Sequence, residues 1–336
     1  MSRCELRIQL LEEPAVYQLG DTVSGFIHVD VDAAVKCRGL HVKLVCKSHG
    51  RGNRWTSKDN SVVLFTGQWQ PGEDLVFPFE LTLPDGPPTY EGRIIHLSWY
   101  VETWVDIPWA VDPVAEQEID VFPGKGVPFM GDAPPEFPEV TQPVKMLGTL
   151  ASIFMGSTVV CGGFGACFSD GDPGALSGFV LVAFGLFLIF PVIAFFVLRN
   201  SLAQRKLGAV EFIVEPRDVM PGDEVTVTIR CNPPKPLGVR RVLLRFGGEE
   251  VAVSGSGSNR TTHRHPLFEE EHALATVATL SGPTTWTRTW TIPADAAPSF
   301  WLSDNTVEWT VGLHIDVPKW PDYQHGRRLR VAPKPL

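Results

Sequence analysis

The sequence has no surplus of positive charge. Its 336 residues include 29 lysine and arginine residues against 38 aspartate and glutamate residues, and the formal net charge is −9. Proteins that bind nucleic acid normally carry a basic surface, because they must neutralise phosphates. The charge balance therefore argues against nucleic acid as a partner.

Motifs of catalysis and of metal binding are also missing. The six cysteines form no CxxC pair and no Cys/His spacing typical of zinc sites. The chain has no GxSxG nucleophile motif and no Gly-Lys-Ser/Thr phosphate loop. We therefore expect a protein that is not an enzyme, with no catalytic residues, no cofactor-binding residues and no cofactor.

Charged residues are absent from two long segments in the middle of the chain. Residues 146–169 and 176–198 contain 24 and 23 residues without a charge. Each segment is long enough to cross about 30 Å of hydrocarbon as a helix. The intervening turn, Asp170–Ala175, is short enough to make the helices antiparallel. The sequence therefore predicts a two-helix transmembrane hairpin within residues 144–199.

Basic residues flank this predicted hairpin, with Lys145 before it and Arg199, Arg205 and Lys206 after it. The turn between the spans has none, and the positive-inside rule then places both flanks in the cytoplasm. The expectation is a two-pass cell-membrane protein with both termini cytoplasmic and with the lipid bilayer as a partner.

The segments on either side of the hairpin repeat each other. Residues 8–27 align without a gap on 210–229, and residues 97–112 align on 307–322. The identical pairs include Gly20 and Gly222, Trp99 and Trp309, Asp106 and Asp316, and Pro108 and Pro318. A repeat constrains both of its copies. We therefore predict equivalent structural roles for each pair, with core positions for the tryptophans and strand-end or turn positions for the aspartates.

Both copies alternate apolar and polar residues. Val225, Val227 and Ile229 follow this pattern, as do Trp309 and Val311. A period of two indicates half-buried strands, and frequent proline and glycine turns indicate antiparallel sandwiches. The predicted fold class is mainly β, with two immunoglobulin-like antiparallel β-sandwiches and a two-helix transmembrane hairpin between them.

Three segments of the first half carry a family resemblance. They are Ala15–Gly25, the Gln70–Glu73 turn before Phe77–Phe79, and Leu83–Gly92 leading into Trp99–Glu102. Together they resemble the amino-terminal arrestin fold, and the second half resembles the carboxy-terminal arrestin domain. The chain is similar to the broad arrestin-like class, which includes alpha-arrestins, the arrestin-like retromer subunit and the bacterial sporulation-control protein. The resemblance covers nearly all of residues 3–123 and, more weakly, 207–332, and it implies fold more than activity.

Four parts are therefore expected along the chain. They are an N-terminal arrestin-like β-sandwich at 1–122, a Pro/Gly-rich linker at 123–143, the transmembrane hairpin at 144–199, and a C-terminal arrestin-like β-sandwich at 207–333.

The Pro87–Tyr90 segment spells the PPxY pattern that WW domains bind. It aligns with Ala297–Phe300 of the second copy, at the entry to a predicted strand. A packed ring at both Tyr90 and Phe300 is therefore the preferred interpretation.

His263, His265 and His272, with Glu269–Glu271 among them, are the one concentration of metal-ligand residue types. A solvated polar loop is the preferred interpretation of this segment, and a metal site is the weaker alternative.

These patterns predict a membrane-anchored, non-enzymatic, arrestin-like adaptor or scaffold. It would bind other membrane or cytoplasmic proteins at the cytoplasmic face. Two alternatives remain open. One is a structural or stress-related envelope component that self-associates as a homo-oligomer, and the other is a metal-dependent activity at the 263–272 loop.

Overall fold

The computed structural model describes residues 4–58, 60–124 and 203–334. The strands of the first half are β1 (Cys4–Leu10), β2 (Val16–Gln18), β3 (Thr22–Val31), β4 (Val35–Gly50), β5 (Val62–Trp69), β6 (Asp74–Thr82), β7 (Tyr90–Glu91), β8 (Ile95–Asp106) and β9 (Val114–Phe122). Those of the second half are β10 (Val210–Glu215), β11 (Asp218–Val219), β12 (Glu224–Cys231), β13 (Leu237–Ser254), β14 (Thr261–Leu280), β15 (Thr284–Thr291), β16 (Phe300–Trp301), β17 (Asn305–Asp316) and β18 (Tyr323–Val331).

Alternation of buried and exposed residues explains why these segments form strands. Every second residue of β8 is buried from Ile95 to Val105, and every second residue of β17 is buried from Asn305 to Ile315. A strand with this period turns one face to a core and the other outward. Each half therefore closes as a sandwich of sheets over its own apolar core.

The two halves have the same sheet topology. In the first half, a three-stranded sheet has the order β1-β3-β6, and a larger sheet has the order β2-β9-β8-β4-β5 with β7 beside β8. In the second half, the corresponding orders are β10-β12-β15 and β11-β18-β17-β13-β14, with β16 beside β17. The short strands β2 and β11 pair in parallel with β9 and β18, and the other pairs are antiparallel. The prediction of a mainly β fold with two sandwich-like halves is confirmed.

The hairpin in the predicted fold class requires a correction. No helix within the described ranges has the length and apolar character needed to cross a membrane. Helical backbone there is limited to 203–207 and a 3-10 turn at Gly257–Asn259. The predicted spans, 146–169 and 176–198, lie outside the described residues.

For the part of the chain that the structure describes, the two-helix hairpin and the two-pass cell-membrane localisation are therefore wrong. The physical reason is the spacing of the apolar residues. A spanning helix requires about 20 consecutive apolar residues, whereas the apolar residues of the described segments recur at every second position and cover the faces of sheets.

Candidate functional site

The two repeat-paired tryptophans lie at the centres of the two cores. Trp99 is 0% exposed and Trp309 is 1% exposed. Each indole Nε1 donates a hydrogen bond to a backbone carbonyl twelve residues earlier, to Pro87 at 2.8 Å and to Ala297 at 2.9 Å. The two copies of the repeat therefore share the hydrogen bond of the buried indole ring as well as the tryptophan itself.

The repeat-paired glycines lie in equivalent turns. Gly20 and Gly222 have φ values of 94° and 95°, a left-handed conformation that glycine adopts without steric cost. In each turn the following aspartate accepts a hydrogen bond from a backbone N–H, that of Gln18 at 2.7 Å in the first half and that of Met220 at 2.8 Å in the second.

The paired Asp106 and Asp316 end β8 and β17, each in its own sandwich. Pro108 and Pro318 lie in the turns that follow these strands. Since each aspartate lies at the opposite end of its strand from the boundary between the sandwiches, the structure does not bring the two carboxylates into one site.

The three histidines of the predicted polar loop lie instead in β14. His263 Nε2 is 3.1 Å from the Ser254 hydroxyl. His272 follows His265 by seven residues on the same strand, which corresponds to roughly 23 Å. That separation prevents the three rings from sharing one ion, and no group of three or more candidate ligands within the described ranges is placed to hold a metal.

The cysteines within the described ranges are buried thiols, at Cys4, Cys37, Cys46 and Cys231. Burial raises the pKa of Cys4 and of Cys37 to about 11, and that of Cys46 to about 12. Thiols in this state are packed core residues rather than nucleophiles.

The structure shows a polar contact region between the two sandwiches that sequence reasoning missed. We call it the clasp. Its side chains are Ser48, Asn53 and Tyr90 of the first half and Glu250, Asp304 and Asn305 of the second.

Glu250 is the centre of the clasp. Its carboxylate is 0% exposed and lies on the inward face of β13. The Tyr90 hydroxyl donates to one carboxylate oxygen at 2.6 Å, and the Ile94 N–H donates to the other at 2.8 Å. The Arg93 N–H lies 3.0 and 3.1 Å from the two oxygens. A buried carboxylate of the second sandwich is therefore satisfied entirely by donors of the first.

The tyrosine at this contact remains a donor. Burial raises the pKa of the Tyr90 hydroxyl, and its hydrogen bond and charge interaction with Glu250 raise it further. The ring also packs edge-on against Phe300, with centroids 5.3 Å apart, and both rings are buried. The predicted packing of these two repeat-related rings is confirmed, and they pack against each other across the boundary.

Asn53 forms the second part of the clasp. Its backbone N–H donates to Val253 O at 2.7 Å, and its side-chain amide donates to Gly255 O at 3.0 Å and to an Asp304 carboxylate oxygen at 2.9 Å. The Gly255 N–H donates back to the Asn53 side-chain oxygen at 3.0 Å. Asn305 completes the contact by donating to Asn53 O at 2.8 Å.

Two glycines permit this close approach. A Cβ atom on Gly92 would overlap the Glu250 carboxylate, and one on Gly52 would overlap the Asn305 side-chain oxygen. A larger residue at either position would require the side chains of the clasp to shift.

Apolar packing continues across the same boundary. Ala252, Phe300, Leu302 and Val307 of the second half belong to the buried cluster that forms the core of the first half. The two sandwiches therefore share apolar packing as well as the clasp.

One sequence signal could have revealed Glu250. Phe246, Gly248 and Ala252 occupy inward positions of β13 at a period of two, and Glu250 falls in the same series. An acidic residue at an apolar position of an alternating strand is costly unless it is paired. Glu250 could therefore be recognised by this exception to the apolar pattern, and not by a sequence motif.

A second feature lies on the outer face of the first sandwich, at the end remote from the clasp. We call Trp104, Trp109, Val111 and Val114 the distal patch. Trp109 is 101% exposed, Val111 is 92% exposed and Val114 is 56% exposed. Trp104 lies directly opposite Val114 on the neighbouring strand.

Neighbouring side chains hold Trp104 in place. Its ring stacks on His41 at 4.7 Å between centroids, and Lys43 Nζ lies 5.0 Å from the ring centroid. Lys43 in turn lies 3.2 Å from a Glu102 carboxylate oxygen. The distal patch therefore consists of a Trp104 ring held by its neighbours and an exposed apolar loop that contains Trp109 and Val111.

Residues 9–129 match the protein-family model described as SpoOM protein (Spo0M). The crystal structure of Spo0M, the sporulation control protein from Bacillus subtilis, matches 36% of this chain and 50% of its own, with 26% identity and a TM-score of 0.31. The chain thus spans about half the length of that protein. No curated protein matches the sequence. The predicted resemblance to the sporulation-control protein is confirmed at the level of this domain, without support for an inserted hairpin.

Proposed function

We propose that the chain is a non-enzymatic adaptor or scaffold with a Spo0M-like control role. Its two sandwiches would act as one platform that presents a protein-binding surface. The observation that carries this proposal is the clasp, in which donors of one sandwich satisfy the buried Glu250 carboxylate of the other. The match of residues 9–129 with the Spo0M family supports the control role.

A platform of this kind requires a fixed relation between its halves. Inter-domain contacts within a chain allow relative motion unless the interface is substantial. Here, separation would leave a buried carboxylate without donors and would expose Phe300 and Val307. Both costs favour the closed arrangement.

The distal patch is the surface we propose for partner binding. Trp109 has a φ of 60°, in the left-handed region that is costly for a bulky residue. Strain of this kind concentrates at functional sites. Exposed tryptophans are also enriched among the residues that dominate binding energy in protein interfaces.

The repeat-related turn of the second half provides a contrast. It has Lys319 at the position of Trp109, also with positive φ, and Trp320 beside it. Lys206 Nζ lies 4.5 Å from the Trp320 ring centroid, and Trp320 is 40% exposed. The first-half turn therefore supports a binding role better than the second-half turn does.

The test is affinity isolation of the tagged full chain from its native cells, with W109A/V111A compared against W320A. A central tryptophan of an interface costs about 2 kcal/mol or more on truncation, which is roughly a 30-fold loss of affinity. We expect W109A/V111A to lose a partner protein that both the parent chain and W320A retain, with unchanged circular dichroism. Equal recovery with all three chains would contradict binding at the distal patch. A parent chain that recovers no partner would contradict the adaptor role.

A further inference from the structure

The edge strands of this fold differ in how well they are protected against pairing with another strand. An edge strand offers unpaired backbone N–H and C=O groups to any other strand, and proteins protect such edges with charges, proline or short length. In the described part of the chain, the edge strands longer than three residues are β1, β5, β6, β10, β14 and β15.

Five of these six edges carry charged residues. The charged residues are Glu5 and Arg7 in β1, Asp74 and Glu80 in β6, Glu211 and Glu215 in β10, Arg264 and Glu269–Glu271 in β14, and Arg288 in β15. The β14 edge also contains Pro266. These strands are therefore protected against pairing with a second strand.

The remaining edge, β5, has neither charge nor proline and is eight residues long, and its pairing with β4 is irregular at two points, between Cys37 and Leu40 and between Leu40 and His41. Its sequence is VVLFTGQW, and the uncharged segment around it extends from Asn60 to Gly72. Val62 and Val63 are 45% and 51% exposed at successive positions, so that both faces of the strand present an apolar side chain. The sheet order ends at β5.

The β5 strand is also held firmly in place. Its Phe65 ring stacks on Trp69 at 5.4 Å between centroids and packs against Phe77 of β6 at the same distance. A pre-ordered edge loses little conformational entropy when another strand pairs with it.

We propose that β5 pairs antiparallel with β5 of a second copy of this chain. The larger sheets of the two first sandwiches would then form one continuous sheet. A two-fold axis brings identical strands together in the antiparallel direction and requires a self-complementary surface. An uncharged strand meets this requirement because no like charges oppose each other across the axis.

The second copy is a better occupant than a foreign strand. The chain has a net charge of −9, so two copies repel each other except where a surface lacks charge. The long uncharged edge provides such a surface. A strand of another protein could form the same backbone hydrogen bonds, but β5 has no charged side chain that would make pairing with that strand specific.

Cysteine cross-linking in extracts of the producing cells tests the pairing with the full chain. V62C, V63C and T66C introduce thiols along β5, and E271C places one on the charged β14 edge as a matched control. A disulfide forms only where Cα atoms come within about 7 Å. We expect at least one β5 variant to give a disulfide dimer at least tenfold above both E271C and the parent chain. Dimer no greater than in these controls, or a disulfide to a different protein, would overturn the proposal.

Sedimentation of the purified full chain provides the second test. V63K places a charge on the edge at a half-exposed position, and V76K does so at a position of β6 with similar exposure, 50%. We expect V63K to raise the dimer dissociation constant at least tenfold and V76K to leave it unchanged, with equal melting temperatures for both variants. A monomeric parent chain, or a dimer that V63K leaves intact, would refute pairing through β5.

Discussion

Replacing Trp99 with alanine is expected to lower the free energy of unfolding by about 3–5 kcal/mol. The ring is fully buried, and the backbone at Gly86 packs so closely on it that a Cβ there would lie 2.7 Å from the indole. The substitution would leave a cavity in the core and would also remove the donor to the Pro87 carbonyl. Urea unfolding followed by circular dichroism measures the loss.

Trp109 provides the matched control for this substitution. It lies in the same sandwich and is fully exposed, so W109A is expected to change stability by no more than about 0.5 kcal/mol. W309A is expected to repeat the effect of W99A in the second sandwich, since its ring has the same burial and the same hydrogen bond. Similar small losses for W99A and W109A would contradict a structural role for the buried ring.

Replacing Glu250 with alanine is expected to destabilise the protein by at least about 3 kcal/mol. The substitution leaves the Tyr90 hydroxyl and the Ile94 N–H buried without their acceptor, and it also removes the acceptor of the partly buried Arg93 N–H. Each buried donor without a partner costs about 1–3 kcal/mol. Hydrogen exchange measures the effect at the site, because the Arg93 and Ile94 amides should lose protection in the variant.

The neighbouring residue provides the control for the clasp. Glu249 points to the opposite face of β13, where it pairs with Arg264 near the surface. Partly exposed ion pairs contribute about 1 kcal/mol or less. E249A is therefore expected to leave the Arg93 and Ile94 amides protected. Equal exchange in E249A and E250A would show that the carboxylate of Glu250 does not hold the boundary.

The sequence was sufficient to predict the β-sandwiches. The repeat and the period-two alternation identify the strands around Trp99 and Trp309, because both signals depend on local order along the chain. The turns at Gly20 and Gly222 follow from the same repeat.

Other features depend on contacts between distant residues. Glu250 and its donors at Arg93 and Ile94 are more than 150 residues apart, and no local pattern connects them. The sequence predicts a loop at the histidine segment of β14, because the polar residues there hide the alternation of an edge strand. The hairpin prediction used the length of two uncharged segments and their basic flanks, and both segments lie outside the described ranges, within which apolar residues instead cover sheet faces.

The central claim is that the clasp holds the two sandwiches as one rigid platform. The most direct measurement is the electron-paramagnetic-resonance distance between spin labels at T82C in β6 and T287C in β15. The full chain would carry serine at Cys161 and Cys167 and would be diluted with unlabelled protein, so that only distances within one chain are recorded. We predict a single narrow distance distribution that broadens in E250A and stays narrow in E249A. A broad distribution in the parent chain, unchanged by E250A, would contradict the account.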